Sequence, residues 1–405
     1  MEGQDLARAD EENNIVNYFF CAAIFLITVL CAIYGGIDYD VHISVCPKLS
    51  DALHPFVYFS KNCEPLWHVL TKVVHRIFFI PVDWAAYIVS GLCNAILYEI
   101  IRKYLSPHCK HAQLAVFALL LAGPLYLPWY NKNIYLGQSS PNIWHNPTLI
   151  MAKRFALSAM IVAMRVMQTT VSFKDCSSCK KDLLLLTGLL FFSALAKPAF
   201  VQVFFPAIFV WCVVKVLVSK GKYFSTALIL FFCCLPAFFV LLSQFFLCFL
   251  ISGASAESGP SIGVKLFYVM KIHSPNVFLS PLLTIAFPIC VLALSFVQRQ
   301  KLLDSTKFSW LMYLFSFLFA ALLYEPARPS HGNFGWGMAI AIMVLWVESA
   351  KNFLVMKKNS ARIAMELKIF VVSRFLCKMA DVILCFHILF GVIYLYRIVF
   401  LRNIE

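Results

Sequence analysis

Charge is what this sequence has least of. Asp, Glu, Lys and Arg together make up 13% of its 405 residues, while 61% are hydrophobic. A globular domain is about a quarter charged and about half apolar, so this chain carries more apolar surface than a soluble core can hide. Strand-like alternation of polar and apolar residues is also missing, which leaves the reading as an outer-membrane barrel weak. There is no Walker A, GxGxxG, HExxH or GxSxG pattern, so ATPase, dinucleotide-binding and common hydrolase readings lose their support. No internal repeat is visible, and this weighs against the repeat-built transporters. Acids are scarcer than bases, 20 against 34, for a formal net charge of +14. In a soluble chain that excess would raise nucleic-acid binding; in this one, basic residues mark cytoplasmic loops and meet anionic lipid.

What the sequence has in quantity is long apolar runs, each able to cross a hydrocarbon core of roughly 30 Å as a helix. The expected spans are 15–37, 82–101, 112–131, 148–171, 183–197, 199–216, 223–251, 276–297, 308–324, 335–350 and 379–401. That predicts an all-α, polytopic bundle of about eleven spans in a single membrane domain. The first run, Ile15 to Ile37, is too long for a signal-peptide core and reads as a retained span behind an acidic N-terminal tail, 1–14. Basic residues then set the orientation. Arg102, Lys103 and Lys110, Lys174 to Lys181, Lys220 and Lys222, Arg299 to Lys307, and the basic segment 351–378 all fall on one side, expected to be cytoplasmic along with the N-terminus.

The opposite, extracytoplasmic side holds segments 38–81, 132–147, 252–275 and 325–334, with seven of the ten histidines. Within the first, His68, Lys72, His75 and Arg76 recur at helical spacing opposite Leu66, Val69, Leu70, Val73, Ile77 and Phe78. This pattern predicts a helix over 66–80 lying in the membrane interface, broken by Pro81. Lys197-Pro198 predicts a tight hairpin within 183–216, made of two half-length helices turning inside the outer leaflet. Of fifteen cysteines, most sit inside apolar runs as small hydrophobes. Cys176 and Cys179 form a lone CxxC without the second pair that a zinc site needs. Cys46 and Cys63 share one outer loop, where an oxidising exterior would permit a disulfide.

Three outer constellations carry chemistry. Gly36-Ile37-Asp38-Tyr39-Asp40-Val41-His42 places two carboxylates and a histidine at a membrane edge, where they can do acid–base work or simply end a helix in water. The run from Tyr135 to Thr148 includes Gln138, Asn142, Trp144, His145 and Asn146. Such a mixture can stack on and hydrogen-bond a sugar, or form a loop with Trp144 as interfacial anchor. Lys153, Arg154 and Lys197 are cations at the outer ends of spans, suited to a lipid-linked phosphate or to snorkelling. The run from Glu325 to Gly337 adds Arg328, His331 and Asn333 on a Gly/Pro-shaped loop. The outer histidines with Asp38 or Asp40 leave a divalent metal open, though their spacing singles out no ligand set.

The succession of an outer acidic turn, Glu64-Pro65-Leu66-Trp67-His68, GQSSPNIWHNPT, a Lys-Pro turn and a late HGNFGWG loop resembles the GT-C superfamily of membrane glycosyltransferases. The likeness lies especially with bacterial proteins that use polyprenyl-phosphate sugars, and it runs over roughly residues 15–350. The resemblance implies a GT-C-like architecture in a bacterial cytoplasmic membrane, with the active site outside. It implies an acidic catalytic base in the first outer loop: Asp38, by its spacing to His42, with Asp40 second. Lys153, Arg154, Lys197 and Arg328 would meet the donor phosphate. His42, Trp67, His68, Gln138, Asn142, Trp144, His145, Asn146, Glu325, His331 and Asn333 would meet the sugar or acceptor. The partners implied are a polyprenyl-phosphate sugar and a glycan, lipid or protein acceptor, with no nucleic acid. Asp40 stands where a proline-like residue is expected, and no sizeable soluble segment follows the last span, which leaves acceptor recognition to the membrane part or a partner. The expected function is inverting transfer of the sugar. A transporter or flippase for an amphipathic anion and a noncatalytic subunit of a glycan-assembly complex are the alternatives.

Overall fold

The computed structural model describes residues 2–35, 37–45, 64–127, 129–130, 139–169, 176–246, 262–326, 330, 332–360 and 367–401. The described chain is helical almost throughout. Its strands are a two-residue antiparallel pair, Gly263–Val264 with Leu323–Tyr324. Among the described residues, seven helices are long and apolar enough to cross a membrane: Asn14–Tyr34, Val82–Leu105, Ala199–Val218, Phe224–Phe245, Asp304–Leu322, Asn333–Lys358 and Val371–Leu401. Many of their large apolar side chains face outward, such as Phe19, Phe209, Phe231, Phe239 and Phe386. An apolar outer surface is what a bundle in lipid presents, and it marks the chain as a multi-pass membrane protein.

Glycine and proline set the helix boundaries. Helix α1 (Glu2–Tyr34) stops at Gly35, and α2 (Ile37–Val45) follows at once. Helix α3 (Pro65–Phe78) closes on Phe79, whose φ of 55° is left-handed. It turns Trp67, His68 and Thr71 into the protein and leaves Val69, Val73, Ile77 and Phe78 exposed. The polar-in, apolar-out arrangement is the reverse of a helix on a soluble core and suits contact with lipid. Pro81 leads into α4 (Val82–Leu105), which runs alongside α1.

Helix α5 (Ala112–Leu121) is shorter than the expected span 112–131, because Gly123-Pro124 sends residues 122–127 into an extended path. Asn146 then opens α6 (Pro147–Thr169): its Oδ1 accepts the Leu149 N–H at 2.9 Å, with Pro147 at the first helical position. Helices α7 (Cys176–Ala196) and α8 (Ala199–Val218) meet at the expected Lys197-Pro198 turn. Their arms, however, are helices of 21 and 20 residues rather than half-length ones, and the second is among the seven apolar enough to cross a membrane. Proline at the start of α8 costs no hydrogen bond there, so the turn shortens neither arm.

Past α9 (Phe224–Phe245), the stretch read as one span over 276–297 is broken at Ile285 into α11 (Leu279–Thr284) and α12 (Ala286–Val297), after the short α10 (Tyr268–His273). Helices α13 (Asp304–Leu322), α14 (Trp336–Ser360) and α15 (Leu367–Tyr396) complete the order. Helix α14 is the centre of the bundle, with every residue from 337 to 350 buried. It extends ten residues past its expected end, and α15 begins twelve residues early, so both reach into the basic segment 351–378. Close to Gly123, α15 crosses the extended segment backbone to backbone. A Cβ on Gly123 would lie 3.0 Å from the Gly391 Cα, and the Gly123 N–H donates to the His387 carbonyl at 2.9 Å.

Candidate functional site

The first turn of α2 carries Asp38 and Asp40, favourably placed at a helix N-terminus. Two residues along a helix are about 200° apart, so the two carboxylates diverge. Asp40 is exposed, whereas Asp38 is about a third exposed and turns toward the segment before α6. Its Oδ2 accepts a hydrogen bond from Asn146 Nδ2 at 3.0 Å, and His145 Nε2 lies 3.9 Å from the same oxygen. The other ring nitrogen of His145, Nδ1, is 2.8 Å from the Tyr394 hydroxyl. Gly35, just past α1, lets the chain pass close to His145: a Cβ there would stand 3.3 Å from the His145 Cβ.

A polar chain links Asp38 to the Lys-Pro turn. Thr148 donates to Asn146 Oδ1 at 3.1 Å, and Lys197 Nζ donates to Thr148 Oγ1 at 3.1 Å. Lys197 also donates to Glu64 Oε1 at 2.7 Å and sits 5.3 Å from the ring centre of Trp336, at the start of α14. Glu64 precedes α3, and its own carbonyl accepts from His68 Nδ1 at 2.9 Å. A carbonyl can only accept, so His68 carries its proton on Nδ1 and presents a lone pair at Nε2. His42 Nδ1 is 3.2 Å from that nitrogen and must be the donor, which makes His42 Nε2 its basic atom when the ring is neutral. Trp67 stands edge-on to Tyr39 and His42, its indole N–H donating to Ser90 at 3.2 Å.

Burial, ahead of all other influences, pushes the His42 imidazolium down to about 4 and that of His68 below its ordinary value. For Glu64, burial pushes the carboxyl up, but the attraction of Lys197 and His42, together with hydrogen bonds from Lys197 and Thr148, outweighs it in sum and holds the acid below its usual range. At neutral pH the cluster therefore contains two neutral imidazoles and an ionised Glu64–Lys197 pair. The unfolded chain takes up a proton at His42 near 6.5 and the folded one only near 4. Stability from this residue is thus full above about 6.5 and is lost as pH falls toward 4. Thermal unfolding in detergent from pH 7 to pH 4.5 is expected to show that slope, and His42→Gln to flatten it; equal slopes would contradict the assignment.

The other expected site residues fall as follows. Lys153 is buried and donates to the Pro141 carbonyl at 2.8 Å, near enough to His145 to oppose its protonation. Arg154, one position on, lies over the Phe155 ring at 4.7 Å. Glu325 accepts from Asn333 at 2.9 Å on the exposed late loop. Gln138, Arg328, His331 and the Cys46–Cys63 pairing lie outside the described residues. Asn142 is spent on structure: its Nδ2 donates to the Leu119 and Ala122 carbonyls, each at 2.8 Å, and so caps the end of α5. Trp144 is buried in the core and presents no open face to a sugar or to the interface. Asn142→Leu is expected to cost about 2 kcal/mol in unfolding stability through the two lost hydrogen bonds, with lipid binding unchanged. Denaturant titration and a binding assay on the same variant check both halves of that statement.

Glu64, Thr148, Trp336 and Tyr394 join the cluster without having been singled out as site residues. Among the described residues, no group of three or more His, Cys, Asp or Glu is placed to hold a metal ion. A second buried polar group lies lower in the bundle. Glu348 accepts from Tyr104 and Ser305, each at 2.6 Å, and Lys351 donates to Tyr104 at 2.8 Å. Twelve residues separate Glu348 from Trp336 along α14, roughly 18 Å of helix axis.

No protein-family model matches the chain, and no curated protein matches it.

Proposed function

We propose that the protein is a GT-C-type membrane glycosyltransferase that moves a sugar, with inversion, from a polyprenyl-phosphate donor to an acceptor hydroxyl at the extracytoplasmic face. The observation that carries this reading is the setting of Asp38. It is a carboxylate held by Asn146, partly open to solvent, at the mouth of a cluster that also contains Lys153, Lys197 and three histidines. In the proposed step Asp38 takes the proton of the acceptor hydroxyl while that oxygen forms its bond to sugar C1. The C1–O bond to phosphate breaks, and the electron pair leaves with the phosphate. Lys153 and Lys197 are the basic residues of this cluster, and their attraction grows as the phosphate gains charge. Lys197 begins the reaction shared with Glu64, so an incoming phosphate must compete for it. About eleven crossings, a cytoplasmic N-terminus and an outward-facing site complete the reading.

A transporter for an amphipathic anion is the second reading, and the buried Glu348–Tyr104–Lys351 group favours it. A transport path needs polar residues at both depths of the bundle, and here they are not confined to the outer half. Proteoliposomes loaded with a panel of polyprenyl-phosphate sugars separate the two. Release of free polyprenyl phosphate in the presence of acceptor is the result expected; movement of intact donor between leaflets without cleavage would instead establish transport.

A further inference from the structure

The last helix lies beyond the part of the chain that resembles a glycosyltransferase, yet it reaches into the cluster. Tyr394 is 1% exposed, near the end of α15, and its hydroxyl meets His145 Nδ1 at 2.8 Å with the two rings edge to face, 82° apart. Its position is built into the fold. The backbone crossing at Gly123 and Gly391 fixes α15 one turn before Tyr394, and His387 adds a 2.7 Å hydrogen bond from Nδ1 to the Gly123 carbonyl.

The imidazole of His145 is sandwiched between two oxygens of different character. A hydroxyl can donate or accept, but the Asp38 carboxylate can only accept. If His145 carried its proton on Nδ1, that N–H would donate to Tyr394 and a bare Nε2 lone pair would face the carboxylate, lone pair against negative charge. If the proton sits on Nε2, Tyr394 donates to Nδ1 and an N–H dipole points toward Asp38. The second arrangement satisfies both neighbours. At 3.9 Å the approach of Nε2 to Oδ2 is longer than a hydrogen bond, so the N–H acts as an oriented dipole beside the carboxylate that Asn146 holds directly. Burial keeps the His145 ring from charging. The other ionisable groups facing this pair are His42 on α2 and Lys153 on α6, with Lys197 and Glu64 reaching it through Thr148 and Asn146, while Asp40 points away from it into solvent.

We infer that Tyr394 is a positioning residue: it fixes His145 as the Nε2–H tautomer, so that a proton donor rather than a lone pair faces the Asp38 carboxylate. The inference deepens the proposed function and rests on Asp38 as the base. Tyr394 touches no reacting atom; it acts through His145, as outer residues orient an imidazole at a metal or in a triad.

The test uses the full-length protein in lipid nanodiscs with ¹⁵N-labelled histidine, His145 being assigned by the signal lost in His145→Gln. In the wild type the His145 signals should be those of protonated Nε2 and unprotonated Nδ1. Tyr394→Phe removes only the hydroxyl, and it should mix the two tautomers. It should also lower kcat about tenfold with the donor KM unchanged, since one hydrogen bond of about 1.4 kcal/mol corresponds to that factor. A wild-type signal from Nδ1–H overturns the inference even if the variant does not fold. An unchanged His145 spectrum and kcat in Tyr394→Phe overturn it as well. Turnover retained in Asp38→Asn would defeat the base assignment instead, while the wild-type spectrum still decides the tautomer.

Discussion

Asp38→Asn is expected to lower sugar transfer by about 10³-fold, at the upper part of the range for loss of a general base. The substitution is chosen for what it preserves. An asparagine amide oxygen can still accept from Asn146 Nδ2, so the contact that anchors α2 to α6 survives. Only the basicity goes. Donor binding, read as stabilisation by the lipid in a thermal-unfolding assay, should stay within about twofold, because uniform binding does not depend on the proton acceptor. Asp40→Asn should leave turnover near normal, since Asp40 is exposed and diverges from Asp38. Near-normal turnover in Asp38→Asn would remove the base from the mechanism, and loss in Asp40→Asn alone would move the reaction to the other face of α2.

The second large effect concerns stability. Lys197→Met should destabilise the protein by about 3 kcal/mol, because it strands an ionised carboxyl in a poorly hydrated place. Glu64 is 20% exposed at the side chain and Lys197 7%, so the loss belongs at the low end of the range for a broken buried pair. The double change Glu64→Gln with Lys197→Met removes both charges and should recover most of that stability without recovering turnover. Denaturant unfolding of the two single variants and the double gives the coupling between them directly. A double variant as unstable as Lys197→Met would mean that the pair is not what stabilises the α3–α7 contact. A double variant that is stable and fully active would remove Lys197 from the proposed phosphate subsite.

The helical class of the fold was legible because long apolar runs have few other solutions in lipid. Lengths were harder to read. The Lys197-Pro198 turn was visible as a break, but a proline at a helix start and one inside a span look alike in sequence, which turned two full helices into half-length ones. Helix α14 was ended at 350 because Lys351 signals a boundary. In the structure the helix runs on through Lys351, whose ammonium finds a partner in the Tyr104 hydroxyl. The same principle governs the site. Asp38, His42, His145, Asn146, Lys153 and Lys197 stood out as polar residues at span ends, and they do meet in one cluster. Asn142 and Trp144 stood out for the same reason and serve packing instead, since a polar side chain does not announce whether its partner is a helix end or a ligand. Tyr394 and Tyr104 gave no signal, because a tyrosine in an apolar run reads as core or interface until its hydroxyl has a neighbour. Glu348 was overlooked for being a single acid within an otherwise apolar span.

The central claim is that the donor lipid is cleaved at the Asp38 cluster. The most direct measurement is a cryo-EM map of the protein in nanodiscs with a non-cleavable phosphonate analogue of a polyprenyl-phosphate sugar. The account predicts the sugar beside Asp38 and the phosphonate within reach of Lys153 and Lys197, with Glu64 drawn off Lys197. Density for the lipid beside Glu348 and Lys351, with the Asp38 cluster unchanged, would contradict it.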